Sequence, residues 1–237
     1  MSVPYEALYL ELGVMPLKMI IKGRRIRYLY YLINRNENEM LFKFLNAQWN
    51  MPVKNDWTIQ VRQDLKDLNI SEDFSVLKKY KKNAFKKMVK EKLKKYTFDY
   101  LLELKRSHSK MKNILYEKFE IQPYLNNSQL SVENMRDLFA FRTRMAEFGE
   151  NFRGQRQFVI CPFLCNQKDS QMHSFNCIGI TQKLQIDSTY TEIFKNNIPV
   201  KTAYSLTKIR KLRESYLEEK SLSVFPTVQK YQKRKLH

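Results

Sequence analysis

Apolar side chains recur every three or four residues along much of the chain, and this spacing constrains the fold more than any other feature. A clear example is the stripe Phe85, Val89, Leu93, Tyr96 and Tyr100 within a lysine-rich segment. Such a stripe gives a helix one apolar face. Glycine (5) and proline (7) are scarce among the 237 residues, so few positions suit the tight turns of a many-stranded sheet. The sequence predicts a mainly α fold, a multi-helix bundle with a small zinc-knuckle-like insert near the C-terminus.

Local signals set the expected helix boundaries. Gly13 is expected to end the first helix, Pro16 to begin the second, and Asp56 and Ser131 to cap two later helices. The predicted helices cover residues 5–12, 16–33, 40–50, 57–68, 84–105, 131–142 and 199–219. We divide the chain into a basic helical region (1–127), an amphipathic helix with a cysteine module (128–180), and a C-terminal helix with a basic tail (181–237).

All three cysteines of the chain lie in one short stretch, CPFLCNQKDSQMHSFNC, together with one of its three histidines. Cys161, Cys165, His173 and Cys177 follow the spacing Cys-x3-Cys-x7-His-x3-Cys, and three thiolates with an imidazole suit tetrahedral Zn²⁺. His173 and Cys177 are four residues apart, so one helical turn is expected to present both to the same side. A closed set of protein ligands predicts a structural metal. The alternative is that three buried apolar cysteines lie beside a surface histidine.

Charge is the strongest global signal. Forty-three Lys and Arg oppose 24 Asp and Glu, which gives a net charge of +19. Such a surface attracts polyanions, so nucleic acid is the expected partner. The alternative is a lysine coat that only solvates the protein. The basic residues expected to contact phosphate are Arg24, Arg25, Arg27, Lys86, Lys90, Lys94, Arg142, Arg144, Arg153 and Arg156.

Two aromatic residues lie inside the cysteine stretch. Phe163 and Phe175 could stack on bases, as exposed aromatic residues of small zinc modules do, or they could cover the metal.

Motifs of catalysis and of membrane insertion do not occur in the sequence. No phosphate loop, Gly-x-Ser-x-Gly or HExxH is present, so we predict that the chain is not an enzyme. A Cys161–His173 nucleophilic dyad, as in a thiol hydrolase, is the enzymatic alternative. Lysines and arginines interrupt the most apolar early stretch, and the N-terminus lacks a signal-peptide pattern. Clustered cysteines suit a reducing compartment, the nucleus or cytoplasm.

Four segments, in order, resemble the region that follows the reverse-transcriptase domain in non-LTR (LINE-type) retrotransposon polymerases. They are YLELGVMPLKMIIKGRRIRYLYYLI, LFAFRTRMAEFGENFRG, CPFLC…DSQMHSFNC and EIFKNN…KIRKLRESYLEE, and together they extend from about Tyr5 to Glu219. The first cysteine pair departs from the family's motif by one extra residue. The matching positions of the first segment are Glu11, Leu12, Gly13, Pro16, Ile21, Arg24, Arg25, Leu29, Tyr31 and Leu32.

The resemblance implies a fragment of such an element without its polymerase domain. In the family this helical region and its zinc knuckle help to grip template RNA or target DNA. We therefore expect a non-catalytic nucleic-acid-binding module with a structural zinc. The alternatives are a helical interaction or structural protein and a decayed transposon fragment with no nucleic-acid role.

Overall fold

The computed structural model describes residues 5–54, 56–109, 111–151 and 160–224, with side chains up to residue 219. The chain is mainly helical, as predicted, and no strand occurs within these ranges. None of the helices there has the length and apolarity that a membrane span requires. The helices are α1 (Tyr5–Leu12), α2 (Leu17–Ile33), α3 (Met40–Asn50), α4 (Trp57–Asp67), α5 (Phe74–Lys78), α6 (Lys82–Ser107), α7 (Val132–Arg142), α8 (Gln171–Ser174), α9 (Ile178–Thr181) and α10 (Val200–Val224).

The predicted start and stop signals act as expected at several helix ends. Gly13 follows α1 with φ 61°, a left-handed conformation that glycine adopts without strain. Pro16 directly precedes α2. Ser131 caps α7 in a reciprocal capping box, in which its hydroxyl accepts from the Asn134 backbone N–H and the Asn134 side chain accepts from the Ser131 N–H. A short 3₁₀ helix, Pro123–Asn126, lies in the segment between α6 and α7.

The chain forms two compact units. The N-terminal unit consists of Leu8–Ser107 and Lys118–Glu120, and the C-terminal unit consists of residues 5–7, 108–117 and 121 onward. The division between them does not coincide with the predicted segment boundaries at 127/128 and 180/181. The described residues of segments 128–180 and 181–237 both belong to the C-terminal unit, where α7 packs against α10.

Helix α2 is the centre of the N-terminal unit and packs against α3, α4, α5 and α6. Its buried residues Met19, Ile26, Leu29 and Ile33 join a core to which the other helices contribute their own apolar stripes. The stripe predicted on α6 is confirmed in part, since Phe85, Val89 and Leu93 are buried in this core and Tyr96 and Tyr100 pack against it. Gly23 lets α2 approach α6 closely, because an added Cβ would lie 2.8 Å from Leu93 Cδ2.

A buried charge network joins α2 to α4. The Lys22 ammonium lies 3.3 Å from Asp64 Oδ1, also contacts Asp67, and faces the Tyr96 ring at 4.8 Å. Burial opposes ionisation of Asp67, but the hydrogen bonds from Lys22, Gln63 and Tyr96 and the charge of Lys22 together outweigh this effect and lower its pKa. Arg25 completes the network through a bidentate contact with Asp64, Nε–Oδ2 at 2.6 Å and Nη2–Oδ1 at 3.0 Å.

Candidate metal centre

A tight turn brings the first two cysteines together. The Cys161 N–H donates to the Gln167 carbonyl at 2.8 Å, and the residues just outside that pair, Ile160 and Lys168, form an antiparallel bridge. Inside the turn, Leu164 and Asn166 have φ of 59° and 55°, the left-handed conformation that reverses a chain sharply. The left-handed turn therefore accommodates the three residues between Cys161 and Cys165, and both sulfurs point to one place.

Two short helices supply the other two ligands. His173 lies in α8, whose first turn is capped by the Ser170 hydroxyl, the acceptor of the His173 N–H at 3.0 Å. Cys177 is the residue that precedes α9. The prediction that one helical turn presents His173 and Cys177 together is therefore wrong, because the helix ends at Ser174 and a new one begins at Ile178. The two side chains converge through the bend between the helices.

The four ligand atoms lie within 4.8 Å of one another. Cys177 Sγ is 3.6 Å from Cys161 Sγ and 3.8 Å from Cys165 Sγ, and Cys165 Sγ is 3.0 Å from His173 Nε2. Tetrahedral Zn²⁺ with Zn–S bonds of about 2.3 Å places two sulfurs about 3.8 Å apart. The two sulfur–sulfur distances from Cys177 are close to this value, and the cluster can hold a metal.

Burial and hydrogen bonds shift the pKa values of Cys161, Cys165 and His173 in different directions. Burial raises the pKa of the Cys161 thiol to about 12. Burial also opposes ionisation of Cys165, but the Gln167 backbone N–H and the neighbouring thiols donate to its sulfur, so its pKa is lowered. Burial lowers the pKa of His173, against the opposing effect of Asp169, and this favours the neutral imidazole that a metal needs. A cation would displace the thiol protons that burial retains.

A buried ion pair holds the ligand loop, which is the segment between Cys165 and His173. Arg213 of α10 binds Asp169 through two contacts, Nη1–Oδ1 at 2.8 Å and Nη2–Oδ2 at 3.0 Å, and both side chains are almost fully buried. Asp169 Oδ2 also accepts the Gly149 N–H at 2.7 Å, and Arg213 Nη2 donates to the Glu147 carbonyl at 3.0 Å. Sequence reasoning missed this pair because its members lie 44 positions apart. The one available signal was an aspartate four residues before the candidate metal ligand His173.

The two phenylalanines of the stretch pack inside the C-terminal unit. Phe163 stacks on Tyr216 at 4.6 Å between ring centroids. It also contacts Gly179, where an added Cβ would lie 2.7 Å from Phe163 Cβ. Phe175 is buried and meets Tyr190 edge-on at 5.9 Å. Phe163 is half-buried and Phe175 is buried, and both pack against aromatic rings of the C-terminal unit.

The predicted phosphate contacts of the N-terminal unit differ in their availability. Arg24, Arg27, Lys86 and Lys90 are exposed, and none of them makes an ion pair with the described residues. Arg25 is only half-exposed, and the bidentate contact with Asp64 described above already engages its guanidinium. The exposed Lys94 lies 3.3 Å from Glu120, which is a weak surface pair.

The predicted phosphate contacts of the C-terminal unit are not confirmed. Arg142 is fully buried, and its Nη1 donates to the carbonyls of Ile193 at 2.6 Å and Lys195 at 2.9 Å. A phosphate cannot reach this guanidinium, so the prediction for Arg142 is wrong. Arg144 is half-buried and forms a side-chain hydrogen bond with Tyr190. Arg153 and Arg156 lie outside the described residues.

Comparisons with protein-family models, with curated proteins and with solved structures find no match to this chain.

Proposed function

We propose that this chain is a non-catalytic nucleic-acid-binding module whose C-terminal unit is held by a structural Zn²⁺. The observation that carries the proposal is the set of exposed cations on α2 and α6, Arg24, Arg27, Lys86 and Lys90, which have no acidic partner in the described part of the chain. Cations left unpaired in a protein of net charge +19 are available to phosphates. The order of motifs that resembles non-LTR retrotransposon polymerases supports the same function.

Zinc is the proposed ion because three sulfurs and one nitrogen form a soft donor set at tetrahedral spacing. All four positions are taken by protein atoms, so no coordination site remains for water or substrate. Zn²⁺ has no redox chemistry, and in such a closed site its contribution is to the stability of the fold. Reconstitution of the purified chain followed by metal analysis is expected to give one zinc per chain, and a stoichiometry near zero contradicts this part of the proposal.

The nucleic-acid part is tested by fluorescence anisotropy with labelled RNA and single-stranded DNA across a range of salt concentrations. Each lost phosphate contact lowers the slope of log K against log salt by about 0.7 on a single strand. Replacing Lys86 and Lys90 together is therefore expected to lower the slope by about 1.4 and the affinity about 25-fold near 0.1 M salt.

The control replaces two other lysines of the N-terminal unit, so that the change in net charge is the same. We compare K86E/K90E with K43E/K54E, because Lys43 and Lys54 are also exposed and make no ion pair with the described residues. The proposal expects the α6 variant to lose much more affinity than the control. Equal losses would mean that only net charge matters, and no binding by the unaltered chain at low salt would overturn nucleic-acid binding.

A helical interaction protein is the second candidate, and one observation favours it. Helix α3 exposes Met40 (84%), Phe44 (60%) and Leu41 (49%), large apolar side chains that usually lie in an interface. If this function is correct, M40D/F44D is expected to weaken binding of a protein partner to the chain while leaving its nucleic-acid affinity unchanged.

A further inference from the structure

A cleft between α2 and α6 joins two basic segments that are far apart in the sequence. Its volume is about 450 Å³, which is within the range of about 300–1,000 Å³ typical of ligand sites. Four cations line it, Arg27 and Arg35 from the α2 side and Lys82 and Lys86 from the first turns of α6, and no acidic residue does. Its lining therefore selects an anion.

Aromatic rings form the other part of the lining. Tyr30 stacks on Phe85 with ring centroids 4.2 Å apart, and its hydroxyl donates to the Tyr80 carbonyl, so this ring is fixed as part of the wall. Tyr31 is 45% exposed, and the Arg35 guanidinium lies over it, with Cζ 4.3 Å from the ring centroid. A guanidinium over the face of a phenol ring adds positive charge to an aromatic surface on which a base can stack.

We propose that this cleft binds one nucleotide of a single-stranded nucleic acid, with the base stacked on the Tyr31–Arg35 platform and its phosphate held by Arg27, Lys82 and Lys86. The inference rests on the proposed function and narrows it to a strand whose bases are accessible. A duplex hides the faces of its bases within the stack, so only an unpaired base can use a platform of this kind.

The neighbouring Glu39 does not prevent Arg35 from binding the nucleotide. It lies 3.6 Å from Glu39, and the two side chains are 37% and 42% exposed. An exposed pair of this type contributes little, so a phosphate or base can compete with Glu39 for the guanidinium. Arg27 donates Nε–H to the Gly23 carbonyl at 3.0 Å, and this bond orients its guanidinium while leaving the Nη groups for a phosphate.

The test measures anisotropy of the full chain with a short labelled single strand, with the same strand made abasic, and with the matching duplex. The chain is expected to prefer the base-bearing strand to the abasic one about 5- to 150-fold, because stacking of a base on an aromatic ring contributes about 1–3 kcal/mol. Y31A is expected to remove that preference while leaving abasic binding unchanged, and Y31F is expected to keep it. K82A is expected to weaken both strands and to lower the salt slope by about 0.7.

The matched control is Y204A. Tyr204 is also 45% exposed, but it lies on α10 in the C-terminal unit, so its removal is expected to leave the preference intact. Four results overturn the inference: equal affinity for base-bearing and abasic strands, Y31A indistinguishable from Y204A, equal or tighter binding of the duplex, or displacement by a free mononucleotide as effective as by the strand. If the unaltered chain still binds with a steep salt slope in any of these cases, the proposed function survives. No binding at low salt overturns both.

Discussion

The ion pair between Arg213 and Asp169 yields the sharpest prediction for the C-terminal unit. The side chains are 7% and 4% exposed, and two hydrogen bonds of 2.8 and 3.0 Å join them. R213A leaves the Asp169 carboxylate buried without its cation and the Glu147 carbonyl without its donor. Removing one partner of a buried pair costs about 3–5 kcal/mol, and two hydrogen bonds to charged groups, at about 1.5–3 kcal/mol each, give a similar value of about 3–6 kcal/mol.

The assay is urea unfolding followed by circular dichroism at saturating Zn²⁺, so that metal occupancy stays constant. Tryptophan fluorescence is unsuitable because Trp49 and Trp57 both lie in the N-terminal unit. The control is K211A on the same helix, since Lys211 pairs with Glu133 at 2.9 Å but is 57% exposed. A surface pair of this kind is worth about 0–1 kcal/mol.

If R213A costs no more than K211A, the buried pair does not stabilise the C-terminal unit as expected. A double-mutant cycle with D169N separates loss of the pair from loss of packing over Phe148, whose ring centroid lies 4.1 Å from Arg213 Cζ. D169N removes the charge and keeps an acceptor for the Gly149 N–H. A coupling energy of about 1–3 kcal/mol between R213A and D169N is expected for groups in direct contact, and a value near zero assigns the cost to packing alone.

Three further predictions concern packing, capping and the thiols. G179A is expected to cost about 1–3 kcal/mol because an added Cβ lies 2.7 Å from Phe163 Cβ. G23A is expected to cost less, since its Cβ meets the movable Cδ2 of Leu93, and thermal unfolding of the two variants tests the order. S131A is expected to lower the free energy of unfolding by about 1 kcal/mol through loss of the α7 cap, and an unchanged urea midpoint contradicts it. The three cysteines are expected to resist alkylation with zinc bound and to react after chelation, as followed by mass spectrometry; equal labelling in both states contradicts a metal site.

Several features of the fold could be predicted because their causes are local. The apolar stripe on α6, the glycine after α1 and the Ser131 cap each act within a few residues, and one turn of helix is enough to register them. The ligand set was predictable for a similar reason. Cys161 to Cys177 are so close along the chain that short turns must bring their side chains together.

The roles of individual cations could not be predicted, because a sequence does not show which acid or carbonyl a guanidinium will meet. Arg25 and Arg142 look like the exposed Arg24 in the sequence. In the structure Arg25 binds Asp64, 39 positions away, and Arg142 is buried against carbonyls more than 50 positions away. Burial of a charge demands a partner, and tertiary packing selects that partner.

The sequence by itself determined the helical class, most helix ends and the four ligands, since these depend on neighbours within about one turn or one short loop. Only the tertiary structure decided which charges face solvent and how distant segments meet. It placed Arg27 opposite Lys86 across one cleft and Arg213 beneath the ligand loop at Asp169. The physical reason is that helix periodicity fixes the face on which a side chain lies, whereas the packing of one helix on another fixes what that face meets.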